Sequence, residues 1–271
     1  MPASIIIDGN RTSNNAITIS NKSFRYGDGF FETMKWADGR LLLADDHLNR
    51  FFSTAGALGY SIPAPLTRER LLSEISLLTN TNHCEKLARI RLTAWRGEGG
   101  LLEGDDTLHY SIECQPLDET AQHWNKNGLV IGIYQDAHKS TDGFSSFKTS
   151  NFHPYNLAAR TAQSRKWDDA IILNNSGRVA DSCIANIFII RKTKIFTPPL
   201  AEGPVAGIMR RQLLQHFDIS ETPLTIEDLE NADEIFLSNA IRGLRWVRQL
   251  GERFYDSSKS RRIYGQLLQT I

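Results

Sequence analysis

A single lysine has neighbours that suit covalent chemistry. Lys148 sits in Phe144-Ser-Ser-Phe-Lys148-Thr-Ser-Asn151-Phe-His-Pro154-Tyr155-Asn-Leu-Ala-Ala-Arg160. Small hydroxyl residues surround it, and an Asn and a Pro then open an apolar-periodic run. This pattern places the lysine where a strand or loop passes into a helix. An amine held in such a place and partly desolvated has a lowered pKa and attacks carbonyls to form a Schiff base. Most lysines are solvated surface residues, so the rest of the chain must supply what such a reaction centre needs.

Other segments supply candidates. Tyr26-Gly-Asp-Gly-Phe-Phe31-Glu-Thr33 has two glycines around an aspartate, where backbone can approach a ligand closely. His47 and Arg50 share one face of a helix. Asp181 follows the turn Asn174-Asn-Ser-Gly177. Gly203-Pro-Val-Ala-Gly207-Ile208-Met209-Arg210 opens a helix whose first N–H groups and positive dipole end suit an anion. Ser238-Asn239 places small donors at a strand end. Together these are a Schiff-base lysine, a carboxylate, an arginine and backbone donors for a phosphate. Pyridoxal 5′-phosphate (PLP) requires that set: an amine for its aldehyde, an acid for its ring nitrogen, and an Arg with N–H groups for its phosphate.

The elements that position these residues follow from periodicity and punctuation. Ser4 to Ile7, the turn Asp8-Gly9-Asn10 and a strand Ala16 to Ile19 read as a hairpin. Asp45 or Asp46 caps a helix with Leu48, Phe51, Phe52, Ala55 and Leu58 on its apolar face, ending near Gly59. A second helix spans Thr67 to Thr79. Lys86 to Trp95 and Leu108 to Gln115 alternate as strands, and the polar stretch from Pro116 to Asn127 marks a domain boundary. The second half reads as a strand Leu129 to Tyr134, the Lys148 loop, a helix from Pro154 and a buried strand Ala170 to Leu173. Strands Val179 to Asp181 and Ile184 to Ile190, the Gly207 helix and a strand Glu234 to Leu237 follow.

In motif content and order the chain resembles the fold-type IV PLP enzymes, a family that includes branched-chain and D-amino acid aminotransferases and 4-amino-4-deoxychorismate lyases. The resemblance runs through Tyr26-Gly-Asp-Gly-Phe-Phe-Glu-Thr, His47-Leu-Asn-Arg50, Lys148-Thr-Ser-Asn151 and Gly177-Arg-Val-Ala-Asp181-Ser-Cys-Ile-Ala-Asn186-Ile-Phe. It continues through Gly207-Ile-Met-Arg210 and Phe236-Leu-Ser238-Asn239-Ala240. It implies a two-domain α+β fold, with domains at 1–118 and 119–271 and PLP at their interface. It also implies a homodimer with partner residues near the site.

By the same resemblance Lys148 holds the cofactor and shuttles a proton, Asp181 faces the ring nitrogen and Thr33 assists proton transfer. Arg50, Gly207, Ile208, Met209, Ser238 and Asn239 cup the phosphate. Tyr26, Phe31, Arg25 and Arg96 are candidates for contact with an anionic substrate, and Lys35, Arg242 and Arg245 are further candidate carboxylate clamps. Two positions depart from the family pattern: Asp181 where Glu is usual, and Met209 where many aminotransferases carry Thr. Gly-Ile-Met-Arg, Asn239-Ala240 and Asn151 look more like the lyases. The alternatives are a class IV aminotransferase, or a PLP-binding protein of weak activity on account of Asp181.

Bulk properties fit a globular enzyme of 271 residues. Acids and bases balance at 31 each, so no net field recruits nucleic acid or an anionic membrane. Three cysteines at wide spacing give neither a disulfide framework nor a zinc site. The N-terminal apolar run is short and has no basic segment before it, and no stretch has the length of a membrane span. A cytoplasmic location is the expectation.

Overall fold

The protein is described here from a computed structural model covering residues 3–14, 16–104 and 106–268. It divides into two compact units. One holds the residues up to Glu119 together with Lys148–Asn151, and the other holds Thr120–Phe147 and the residues from Phe152 on.

The first unit contains β1 (Ile5–Ile7), β2 (Asn10–Thr12), α1 (Lys22–Tyr26), β3 (Gly29–Ala37), β4 (Arg40–Leu41), α2 (Ala44–Ala57), α3 (Arg68–Thr81), β5 (Leu87–Arg96) and β6 (Leu108–Pro116). The strands form one sheet in the order β2-β1-β6-β5-β3-β4. Strand alternation gives that sheet two unlike faces. Phe30, Met34 and Trp36 of β3 join Ile90, Leu92 and Ala94 of β5 and Ile112 of β6 in a core with Leu48 and Phe51 of α2 and Leu71, Ile75 and Leu78 of α3. Each fully buried Leu, Ile, Met or Phe side chain among these contributes about 1.5–3 kcal/mol. The other face carries Phe31, Thr33 and Lys35, which lie opposite Thr93, Arg91 and Arg89. Those in turn lie opposite Ser111, Glu113 and Gln115.

The second unit contains β7 (Leu129–Lys139), α4 (His153–Ser164), β8 (Asp169–Asn174), β9 (Val179–Ser182), β10 (Asn186–Arg191), β11 (Lys194–Thr197), α5 (Ile208–His216), β12 (Ile219–Glu221), α6 (Ile226–Glu230), β13 (Glu234–Asn239), β14 (Gly243–Leu250), β15 (Arg253–Phe254) and α7 (Ser258–Leu267). Its sheet runs β12-β11-β10-β13-β14-β7-β8-β9, with β15 beside β14. β8 pairs parallel with β7 and is buried along its whole length, which explains its unbroken apolar run Ala170-Ile-Ile-Leu173. A register shift in the β8–β9 pair sets Leu173 opposite Val179 but Ile172 opposite Asp181. Val179 thereby joins the core with Ile171 and Leu173, while Asp181 turns to the face where α4 packs on Ala170 and Ile172.

Several sequence expectations change. The hairpin closes at once: Asp8 and Gly9 both take positive φ and Ile7 pairs with Asn10, so the second strand is Asn10–Thr12 and not Ala16 to Ile19. Asp45 and Asp46 lie in the first turn of α2, whose N-cap is Leu43. There they favour the helix by charge. α1 has no counterpart among the expected elements; Asn21 caps it by accepting from the backbone of Ser23 and Phe24. β7 runs past Tyr134 to Lys139. Lys148–Asn151, expected in the second domain, packs with the first unit.

Candidate active site

In the first unit the Lys148 segment docks on the start of β3. Phe31 N–H donates to the Lys148 carbonyl at 3.0 Å and Ser150 N–H to the Gly29 carbonyl at 2.7 Å, with a bridge between Phe30 and Thr149. A Cβ at Gly29 would lie 2.9 Å from Ser150 Oγ and 2.8 Å from the Ala94 carbonyl, so the close docking requires glycine. The Lys148 ammonium lies over the Phe31 ring, 4.5 Å from its centroid, and the Arg91 guanidinium lies 3.9 Å from it. Thr33 and Lys35 follow on the same face of β3. Burial pulls the pKa of Lys35 down, and does the same for Arg91. A carboxylate brought to this face would relieve both.

Alternation also puts Glu32 on the opposite, apolar face, where a bare carboxylate could not stay charged. One turn of α2 solves this. Arg50 grips Glu32 through two bonds of 2.6 Å, from Nε and from a terminal nitrogen, and His47 Nδ1 meets the same carboxylate at 2.7 Å. Burial alone would raise the Glu32 pKa, but the charge of Arg50 and the hydrogen bonds of His47 and Arg50 outweigh it and hold the value at about 2. Arg50 is therefore a pre-oriented arginine at the base of a buried cluster.

The stability consequence has a definite sign. Glu32 is ionised above its unfolded value of 4.5, where its full contribution of about 3 kcal/mol is present, and that contribution is lost as pH falls from there towards 2. Glu32→Gln is expected to be less stable than the wild type by about this amount at pH 7, with the gap reduced by about half or more at pH 3. Denaturant melts at both pH values check this, and a gap equal at both would remove the ionised Glu32 from the account.

In the second unit Asp181 is buried on β9. Its Oδ2 accepts from Tyr155 Oη at 2.9 Å and from Val205 N–H at 2.9 Å, and Lys139 Nζ stands 3.6 Å away. Its Oδ1 is buried and has no partner. Burial pushes the Asp181 pKa up, opposed by the charge of Lys139 and by the bonds from Val205 and Tyr155. An unpaired carboxylate oxygen in such a place is what a protonated ring nitrogen would satisfy.

A second orphan lies on the same sheet: Ser238 Oγ is buried without a partner on β13, directly across from Asn186 of β10. Asn186 Nδ2 donates to the Val205 carbonyl at 2.8 Å, and a Cβ at Gly207 would lie 2.0 Å from Asn186 Oδ1. Gly207 is thus the N-cap of α5 because nothing larger fits, and no side chain caps that helix start. The backbone of Ile208 and Met209 and the Ser238 hydroxyl suit a phosphate. The Ile208 and Met209 side chains are buried, so any part they play there is through the main chain. These two orphaned atoms and this helix start fit PLP.

Other expected residues are placed differently. Arg96 gives its donors to the protein itself: Asp28 at 2.9 Å, Asp106 at 2.5 Å, the Gly59 carbonyl at 3.2 Å and the Leu58 carbonyl. It also stacks on Tyr60. Arg25 bonds the carbonyls of Ile19 and Gly99, and Tyr26 is exposed. The Asn239 side chain accepts from Ile241 and Arg242 N–H and donates to the Ile184 carbonyl, which holds the turn after β13. Arg210 of the Gly-Ile-Met-Arg run turns inward to the Pro198 carbonyl and Glu221. Sequence reasoning missed Glu32, Arg91, Lys139 and Tyr155. The polar alternation Arg89, Arg91, Thr93 was the available signal for Arg91.

Among the described residues no group of His, Cys, Asp and Glu could hold a metal ion, and no helix is long and apolar enough to cross a membrane. Residues 29–250 match the family model for amino-transferase class IV. An aminodeoxychorismate lyase of Vibrio harveyi is 26% identical over 236 residues, covering 84% of this chain and 85% of that protein. The fold matches a branched-chain aminotransferase of Thermoproteus uzoniensis, solved with norvaline, at TM-score 0.87 and 22% identity, covering 98% of this chain and 93% of that one. It also matches a second branched-chain aminotransferase, from T.th. and solved with pyridoxamine 5′-phosphate, at TM-score 0.86 and 19% identity, covering 99% and 94%. The family match extends from the first residue of β3 to the last of β14, and so the chain belongs to the class IV aminotransferase family.

Proposed function

We propose that this class IV enzyme uses PLP to convert 4-amino-4-deoxychorismate into 4-aminobenzoate and pyruvate. The observation that carries the reading is the face of β3 and β5, where the Lys148 amine and the Arg91 guanidinium both lie over the Phe31 ring and Thr33 and Lys35 follow on the same face of β3. An amine that shares a face with two further cations suits a substrate that bears an amino group and more than one carboxylate. Likeness to the Vibrio harveyi lyase supports the choice, as does Met209 in place of the hydroxyl residue of many aminotransferases.

When bound, the cofactor supplies an electron sink for the carbon that carries the substrate nitrogen. Lys148 would hold the cofactor through its amine and would take the proton from the substrate's ring carbon as general base. The bond between the ring carbon and the enolpyruvyl oxygen breaks, the leaving enol takes up one proton at its methylene carbon to become pyruvate, matching the one removed by Lys148, and the ring becomes aromatic, so atoms balance without water, oxidant or keto acid. Thr33, next to Phe31 on the same strand face, passes a proton to or from Lys148. Asp181, whose Oδ1 has no partner within the protein, would keep the ring nitrogen protonated. Arg50, the start of α5 and Ser238 are the residues that would hold the phosphate. Arg91 and Lys35 are the residues that would hold substrate carboxylates, a role that Arg96 leaves open because its donors go to Asp28, Asp106 and the carbonyls of Leu58 and Gly59.

The test is to supply freshly generated 4-amino-4-deoxychorismate and follow both products without added keto acid. Equal amounts of 4-aminobenzoate and pyruvate over many turnovers are expected. Absence of both, with amino-group transfer from an L- or D-amino acid to a keto acid, would replace the lyase by a transaminase.

A further inference from the structure

Among the described residues Lys139 is the one buried cation facing the acid assigned to the ring nitrogen, and the reaction outlined above gives it no part. It is 7% exposed, at the end of β7. Its ammonium stands 3.6 Å from Asp181 Oδ2, lies 4.9 Å from the Tyr155 ring centroid and donates to the Ser145 carbonyl at 3.2 Å. The charged and titratable groups around the pair are Asp181, Tyr155, Asp142 and, beside Tyr155, Cys183. Every donor on Asp181 meets Oδ2: the Tyr155 hydroxyl and the Val205 N–H by hydrogen bonds, Lys139 by charge. Oδ1 is left without a partner. A carboxylate this deep has two ways to remain in a dry site: it can take up a proton, or a fixed positive charge can hold it ionised.

We propose that Lys139 is a positioning residue that holds Asp181 ionised and turned by Oδ2, so that Oδ1 alone faces a protonated pyridine nitrogen. This rests on the PLP reading. The shorter Asp in place of the family's usual Glu has less reach, and a carboxylate fixed from behind compensates by being charged and oriented before the ligand arrives. An opposite charge at this distance lowers a carboxyl pKa by roughly 1–3 units. Without it, a ligand that arrives with its ring nitrogen protonated must displace a proton from Asp181, and each unit of pKa rise costs about tenfold in affinity below that pKa.

The probe is 4-deoxypyridoxine 5′-phosphate, which has the ring nitrogen and phosphate but no aldehyde, so Lys148 cannot trap it. Its Kd is measured by calorimetry on cofactor-stripped protein between pH 6 and pH 8. Lys139→Met is expected to bind roughly tenfold or more weakly than wild type at pH 6, with the ratio closing as pH rises, and Lys139→Arg is expected to follow the wild-type profile. Lys139→Gln, which can still bond Ser145, replaces the Met variant if that does not fold. A mutant-to-wild-type ratio constant with pH, whether near one or uniformly large, would overturn the inference, because a merely structural lysine gives no pH term. Wild-type protein that does not bind the probe at all would overturn the cofactor reading as well.

Discussion

Lys148→Ala is expected to lose roughly 10⁴-fold or more in turnover and to release PLP on dialysis, because one side chain supplies both the covalent hold and the general base. The fold should survive the change. What docks the segment on β3 is main-chain bonding through Lys148 O, Ser150 N and the Phe30–Thr149 bridge, and an alanine keeps all of it. Melting temperature and 4-deoxypyridoxine 5′-phosphate binding should therefore stay close to wild type. A small primary amine added to the buffer should restore part of the proton transfer without restoring the covalent hold. Turnover within tenfold of wild type would exclude Lys148 as the base.

Asp181→Asn is expected to act on the chemical step and on the protein's electrostatics together. An amide cannot balance a positive ring nitrogen, so turnover should fall roughly 10²–10³-fold, the size seen when one preorganised electrostatic partner is removed, with a smaller change in KM. The same substitution strands Lys139, whose pKa burial already pulls down and which Asp181 and, more weakly, Asp142 pull up. Asp181→Asn should thus also lower the stability of cofactor-free protein, and a second change, Lys139→Met, should recover part of that loss. Steady-state kinetics with denaturant melts of the two single variants and the double variant separate these effects. Unchanged turnover in Asp181→Asn would remove the carboxylate from the mechanism.

How much of this was legible in the sequence depended on whether the signal was local. Lys148, Arg50 and Gly207 stand in short motifs whose chemistry can be named from residue type and spacing, and the helices over Arg68–Thr81 and His153–Ser164 follow from periodicity and an N-terminal Thr or Pro. Glu32 was hidden because Phe30 and Phe31 are both apolar and blur the phase of β3, so the sequence does not say which face the carboxylate takes. Lys139 was hidden because alternation fails after Tyr134, where β7 shifts register against β8 before pairing again at Asn174. Arg96 looked available because its partners, Asp28, Asp106 and the carbonyls of Leu58 and Gly59, are brought to it only by the fold. The docking of Lys148–Asn151 on β3 is a pairing across more than a hundred residues, and no local pattern encodes it.

Lys148 carries the central assignment, and the chain holds a second lysine, the buried Lys139, that could compete for the role. The most direct test is therefore to load wild-type protein with PLP, reduce it with borohydride, digest it and locate the adduct by mass. A phosphopyridoxyl group on the peptide carrying Lys148, with Lys139 unmodified, is the predicted result. An adduct on Lys139, or none on either lysine in a protein that retains the cofactor, would contradict the assignment.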